Sequence, residues 1–340
     1  MTTRALPGYT PVLRPDTLLA GCLAATWLIW GSTYLAIKWA LVSLPPFFQM
    51  GSRFVVAGGL LIIWMRWARR ASWPTLRQWR NAVIVGTLML GGGMGATAYA
   101  EQTVGSGLVV AFVAVIPIMI AALNSLWGVY PSRNEVLGIG VGLAGVLLLT
   151  QGAGFSASPK GLLAIAAGTL AWSLGSVLCQ RALPLASGGM GFASEMLGGG
   201  VVLLVLSVLL GESVTVAANW PFAPKALLAW GYLIVFGSLI AFNAYMVLLD
   251  RASPAMASSY TFVNPVIAML LGVAVEGEVV SQFEWLATGV ILSGVVLLMA
   301  GRRHSNEEPL IVRSSSVVGL RISCNFASCK ISSLRWRRTP

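Results

Sequence analysis

Charge is scarce in this chain. Only 10% of its 340 residues are Asp, Glu, Lys or Arg, and 57% are apolar, against about 25% and roughly 45 to 50% in an ordinary soluble domain. The shortage excludes a large water-exposed surface. Long uncharged apolar runs recur from Leu18 to Ala300 with brief polar breaks, and no sizeable water-soluble domain fits between them. Acidic residues are scarcer still, 11 against 22 basic ones, which leaves a formal charge of +11. Nucleic acid is nevertheless not the expected partner. Arg66, Arg69, Arg70, Arg77 and Arg80 share one short loop that has no acid, and six more basic residues crowd the stretch from Arg313 to Arg338. Basic clusters beside apolar runs set membrane topology and meet anionic lipid.

The four cysteines are too few and too scattered for a disulfide framework. Cys22 and Cys179 fall inside apolar runs, as small packing residues. Cys324 and Cys329 have neither zinc-knuckle nor redox spacing, and the single histidine, His304, is remote from both. No metal or cofactor is expected. The first 17 residues lack the apolar core and cleavage site of a signal peptide, so the first helix reads as an uncleaved anchor.

About 20 apolar residues carry a helix across the hydrocarbon layer. That ruler predicts helices at 18–40, 46–66, 82–100, 104–124, 136–152, 161–181, 189–210, 227–249, 254–275 and 284–301. The runs do not alternate, and lipid-exposed backbone must satisfy itself within its own segment, so the fold class is all-α integral membrane. Gly91, Gly92, Gly93, Pro117, Gly198 to Gly200 and Pro265 lie inside these spans. Packed membrane helices tolerate such residues and use small ones for close approach. With the N-terminus in the cytoplasm, twelve Lys and Arg up to Arg303 lie inside and only Lys160 and Lys225 outside, which places both termini in the cytoplasm.

An internal repeat is the most informative feature. EVLGIGVGLAGVLLLTQG from Glu135 and EWLATGVILSGVVLLMAG from Glu284 agree at ten of eighteen positions with no gap, including the Glu and three Gly. Pro117 pairs with Pro265 at a shift of 148; Trp30 with Trp172, Ser52 with Ser194 and Gly58 with Gly200 pair at 142. Helix order is preserved across two halves. Five is odd, so the second half enters the membrane from the opposite side, and the ten helices form two inverted five-helix repeats, an architecture that supports alternating access. The expected organisation is a cytoplasmic segment at 1–17, repeats at 18–152 and 161–301, and a basic, disordered cytoplasmic tail at 302–340.

WGSTYLAIKWAL from Trp30, then Pro45 and RFVVAGG from Arg53, resembles the EamA family of the drug/metabolite transporter superfamily, in its bacterial exporter branch. AWSLGSV from Ala171, SEMLGGG from Ser194 and SSYTFVNPVIAMLLGVAVEGE from Ser258 look like the matching segments of the second half, and the likeness runs from about Leu18 to Gly301. The resemblance implies ten helices, cytoplasmic termini and secondary export of small metabolites, amino acids or drugs across the inner membrane. The segment after Gly301 departs from the family pattern.

Three charged residues fall inside the predicted spans: Lys38, Arg53 and Glu195. Intramembrane charges are costly, about 2.5 to 3.5 kcal/mol on insertion scales, and usually face a cavity or a partner. Lys38, near the end of its helix, reads equally as a snorkelling anchor or a cavity residue. Arg53 and Glu195 are equivalent in the two repeats, each on the order of 10 Å below the surface where its helix begins. Those surfaces are opposite ones, so no direct salt bridge is expected. Arg53 is a candidate to bind or gate from the outer side. Glu195 is the candidate on the inner side and for the coupling proton, read as the only carboxylate well inside a span. Trp30, Tyr34, Tyr99, Trp172, Asn243, Tyr245, Tyr260 and Asn264 supply rings with polar tips and amides suited to amphipathic solutes. Pro265, next to Asn264, removes a backbone donor and frees a carbonyl one turn back, and Pro117 is expected to do the same in the first half.

A membrane-embedded enzyme would need a catalytic constellation, but no predicted span holds a histidine or aspartate. A voltage-gated channel would need an Arg-rich span, and nucleotide-sugar carriage a more basic cavity. GxxxxGK[ST] does not occur, so energy must come from an ion gradient or from solute exchange. The expected partners are a small-molecule substrate, the lipid bilayer, a coupling proton and, as a further candidate, a second copy of the chain.

Overall fold

The computed structural model describes residues 15–104, 109, 112–150, 158–276 and 281–305. The described residues are helices and their connections. We number them α1 (Pro15–Ala40), α2 (Pro46–Trp67), α3 (Leu76–Ala100), α4 (Ile116–Ser125), α5 (Arg133–Thr150), α6 (Pro159–Arg181), α7 (Gly189–Leu209), α8 (Pro224–Arg251), α9 (Pro254–Val275) and α10 (Gln282–Ser305). Among the described residues eight of these are long and apolar enough to cross a membrane: α1, α2, α3, α6, α7, α8, α9 and α10. The other two predicted spans correspond to α5 and, in part, to α4, only 10 residues long because much of 104–115 is turn or outside the described residues. The tail beyond residue 305 and the first 14 residues also lie outside them.

Local chemistry explains where the helices begin. Proline stands at the first turn of α2, α6, α8 and α9, where its missing N–H has no helical partner to lose. Thr75 and Gln78 cap α3 reciprocally, which starts it six residues earlier than its apolar run suggests. The repeated Glu also has a local role. Glu135 Oε2 accepts from Ser132 N at 2.8 Å while Ser132 Oγ accepts from Glu135 N, and Glu284 and Ser281 repeat the arrangement at the start of α10. The paired carboxylates are therefore capping boxes, holding the first turns of equivalent helices.

The two halves meet through equivalent helices. α2 packs along α7, and α5 along α10. A Cβ on Gly51 would lie 2.9 Å from Leu204 N and 3.0 Å from Gly200 O, and one on Gly58 would lie 2.9 Å from Ala193 O. Gly58 is the repeat equivalent of Gly200, and Gly51 of Ala193, so the partners are exchanged. Gly142 and Gly145 meet Gly294 and Ile291 with the same exchange. Reciprocal contacts of this sort are what a two-fold axis produces. Backbone-to-backbone approach without Cβ atoms in the way is the main source of helix association in a solvent as apolar as the side chains.

Neither α3 nor α8 is uniform. Each widens into a π-helical segment, Thr87–Gly95 in α3 and Leu233–Phe242 in α8, near-equivalent stretches of the two repeats. The glycines of the α3 segment admit α6: a Cβ on Gly93 would lie 2.9 Å from the Trp172 ring, and one on Gly168 would lie 3.0 Å from Gly92 O. A large buried core joins α1, α2, α3, α6, α7 and α8, and a smaller one, around Val146, Phe262 and Ile291, holds the α5–α10 pair against α9.

Gly200→Leu should overpack the α2–α7 contact and cost about 1–3 kcal/mol or more, read as a thermal midpoint several degrees lower in detergent. Gly59→Leu, where nothing lies within 4 Å of the added carbon, should leave the midpoint unchanged.

Candidate functional site

Four aromatic residues, one each from α1, α6, α8 and α9, converge at the middle of the bundle. The Trp30 ring lies 5.7 Å from Trp172, 5.1 Å from Tyr245 and 4.7 Å from Tyr260, and Tyr245 lies 5.4 Å from both Trp172 and Tyr260. Three of these pairs, at 74–84°, have the edge-to-face packing that ring quadrupoles favour, and the two pairs of Tyr245 with the tryptophans are tilted at 51° and 33°. Hydrogen bonds fix the arrangement: Trp30 Nε1 donates to Gly237 O in the π segment of α8, and the Tyr245 and Ser176 hydroxyls are 3.0 Å apart. Trp172 Nε1 is buried and completes no hydrogen bond, although the Tyr245 and Tyr260 hydroxyls are near it.

Above this aromatic layer sits a cavity of about 70 Å³, lined from both halves of the chain by Trp30, Tyr34, Met50, Met94, Trp172, Tyr260 and Asn264, with Thr33, Thr97 and Thr169 between them. The three threonine hydroxyls donate to their own helix carbonyls at 2.7–2.8 Å. They are spent. Asn264 Oδ1 is buried with no partner among the described residues, so it is a free polar group at the cavity wall. Among the described residues no Asp, Glu, Lys or Arg lines it. The volume is below the roughly 300–1,000 Å³ of pockets that hold a drug-sized ligand.

Two charged candidates are buried in the bundle. Arg53 is fully buried on α2, its Nη2 reaching Met94 Sδ at 3.8 Å and its guanidinium 4.5 Å over the Phe54 ring. Glu195 is fully buried on α7, with neither carboxylate oxygen bonded, and Cys179 and Tyr245 are near enough to feel its charge. Among the described residues the two form no ion pair, as their opposite helix ends require.

The structure therefore brings Trp30, Tyr34, Trp172, Tyr260 and Asn264 together at the cavity, with Tyr245 behind them and Arg53 one side chain away. Other candidates lie elsewhere. Lys38 is exposed on the last turn of α1 and outside the lining. Tyr99 stacks on Phe47 at 5.9 Å, and Asn243 Nδ2 donates to Leu239 O beside the α8 π segment. Pro265 is inside α9, as expected, but Pro117 is at the first turn of α4, where its missing N–H frees no interior carbonyl. Glu195 also has company: Glu101, one residue past α3, buries Oε1 without a partner and acts electrostatically on Arg53. Its position at a predicted loop concealed it. Gln49, fully buried one turn before Arg53, and the lining methionines were missed because nothing in an apolar run marks which face turns inward. No cluster of three or more His, Cys, Asp or Glu suited to a metal occurs among the described residues.

An all-helical bundle of this apolarity, with a cavity built from both halves, defines a multi-pass membrane protein. The chain belongs to the EamA-like transporter family, whose model matches residues 18–151 and again 159–300, one match on each half. It is 41% identical over 294 residues to YedA of Escherichia coli K12, described as an uncharacterized inner membrane transporter, covering 86% of this chain and 94% of that protein. An uncharacterized transporter of Synechocystis is 26% identical over 314 residues, covering 81% and 88%. A solved crystal structure shares the fold, with a TM-score of 0.68 at 23% identity over 84% of this chain and 99% of that one.

Trp30→Ala removes a ring that contacts three others and should cost about 3–5 kcal/mol, whereas Tyr245→Phe keeps the ring and loses a hydroxyl hydrogen-bonded to Ser176, about 1 kcal/mol. Thermal unfolding in detergent should rank the two variants in that order.

Proposed function

We propose that this protein is a secondary active transporter of the bacterial inner membrane that exports small amphipathic metabolites, amino acids or drugs by alternating access. The observation that carries the reading is the central cavity, walled by equivalent residues of both halves, Trp30 and Trp172, between helices whose contacts are exchanged as a two-fold axis exchanges them. Halves so related can each take up the conformation the other has left. In this reading α4 and α5 complete ten crossings in two inverted repeats, 18–152 and 161–301, with both termini cytoplasmic.

Coupling is assigned to Glu195. It is a buried carboxyl without a hydrogen bond or ion pair, separated from the cavity by the aromatic layer through Tyr245, which touches both Trp30 and Trp172. A carboxyl in that position is stable when neutral and takes up a proton from the side that opens to it. Proton release then accompanies solute movement in the opposite sense.

Purified protein in liposomes, given a panel of amino acids and cationic dyes under an imposed pH gradient, should accumulate at least one solute. Ion currents in planar bilayers without any solute flux would make it a channel instead. Glu195→Gln should abolish gradient-driven accumulation while sparing solute counterflow, and unchanged pH dependence would remove Glu195 from coupling. A fluorescent protein fused after residue 305 should be fluorescent in cells, and a periplasmic alkaline phosphatase fused there inactive; the reverse pattern would overturn the orientation.

A further inference from the structure

We propose that Gln49 and Arg53 form an anion subsite adjoining the cavity, and that the solutes carried are amphipathic monocarboxylates, held by their apolar part at Trp30 and Trp172 and by their carboxylate at α2. The inference rests on the reading of the cavity as the substrate site.

Arg53 is fully buried, yet Nε and Nη1 have no partner and Nη2 has only the weak Met94 thioether. Gln49 lies one helical turn earlier on the same buried face, and neither its amide nitrogen nor its amide oxygen is bonded. A buried guanidinium without a hydrogen-bonded anion is strongly disfavoured, and its planar fork matches a carboxylate's two oxygens. The side-chain amide of Gln49 adds a further donor.

Two lining side chains adjoin the subsite. Met50, between the two residues in sequence, and Met94, among the described residues the one side chain in hydrogen-bonding contact with the guanidinium, both line the cavity. A methionine has three rotatable bonds and little polar cost on moving, so a rotation of Met94 would bring the guanidinium to the cavity wall. Glu101 acts electrostatically on Arg53, and among the described residues the two form no ion pair. It leaves the subsite at most one net positive charge, which suits one carboxylate and not a dianion. No acid lines the cavity, so the solute needs no ammonium group.

Isothermal titration of the full-length protein in detergent at pH 7 tests this with phenylacetate, indole-3-propionate, their uncharged amides and inorganic phosphate. Wild type should bind at least one acid about tenfold or more tighter than its amide. Arg53→Gln and Gln49→Leu should erase that preference while amide binding persists, which shows that the cavity is intact; Arg53→Lys should recover it in part. Failure of both acids to bind at about 10 mM, equal binding of acid and amide, or a preference that survives Arg53→Gln would overturn the subsite, as would inorganic phosphate displacing the acids as a free anion. Solute flux in liposomes without acid preference would sink the subsite and spare the transport reading. Acid preference without flux would do the reverse.

Discussion

In lipid, a backbone carbonyl that loses its helical partner has no water to turn to, and the layout of this protein follows from that constraint. Among the described residues α-helical hydrogen bonding is broken at the π segments of α3 and α8, at Pro265 in α9, and in a third π segment, Gly272–Glu276, at the end of α9. The first three border the aromatic layer or the cavity, and in the α8 segment Trp30 Nε1 takes Gly237 O. The third lies at a helix end, with Val273 and Val275 exposed. The glycines serve the same end, bringing helices close enough that their backbones shield one another.

The gross architecture was legible because lipid imposes a length and a composition that a sequence displays directly. Eight predicted spans became helices of membrane-crossing length, most within a few residues of expectation. The start of α3 was missed because its first turns are polar, and the capping box of Thr75 and Gln78 is a subtler signal than an apolar run. The Glu135 and Glu284 pair was recognised as a repeat, but its role as a helix cap was visible only once Ser132 and Ser281 were in place.

The site was partly legible. Polar-tipped rings inside apolar runs are conspicuous, and five of the candidates do meet at one cavity. What a sequence does not display is the face each residue occupies when every face of the helix is apolar. Tyr99 and Asn243 have the same credentials as Tyr34 and Asn264 and lie elsewhere, while Met50, Met94 and Gln49 have none and stand at or beside the cavity. The π segments displace every later residue around the helix axis, so an ideal helical wheel misassigns the second half of α3 and of α8.

Trp30 and Trp172 are the same residue in two copies of one motif, yet their indoles are differently engaged: one is latched to a π-segment carbonyl, and the other lies against Gly93 in the matching segment with its N–H unspent. A duplicated gene would give two identical latches. The folded chain shows one fastened and one undone, so two copies of one motif do different work at the same cavity.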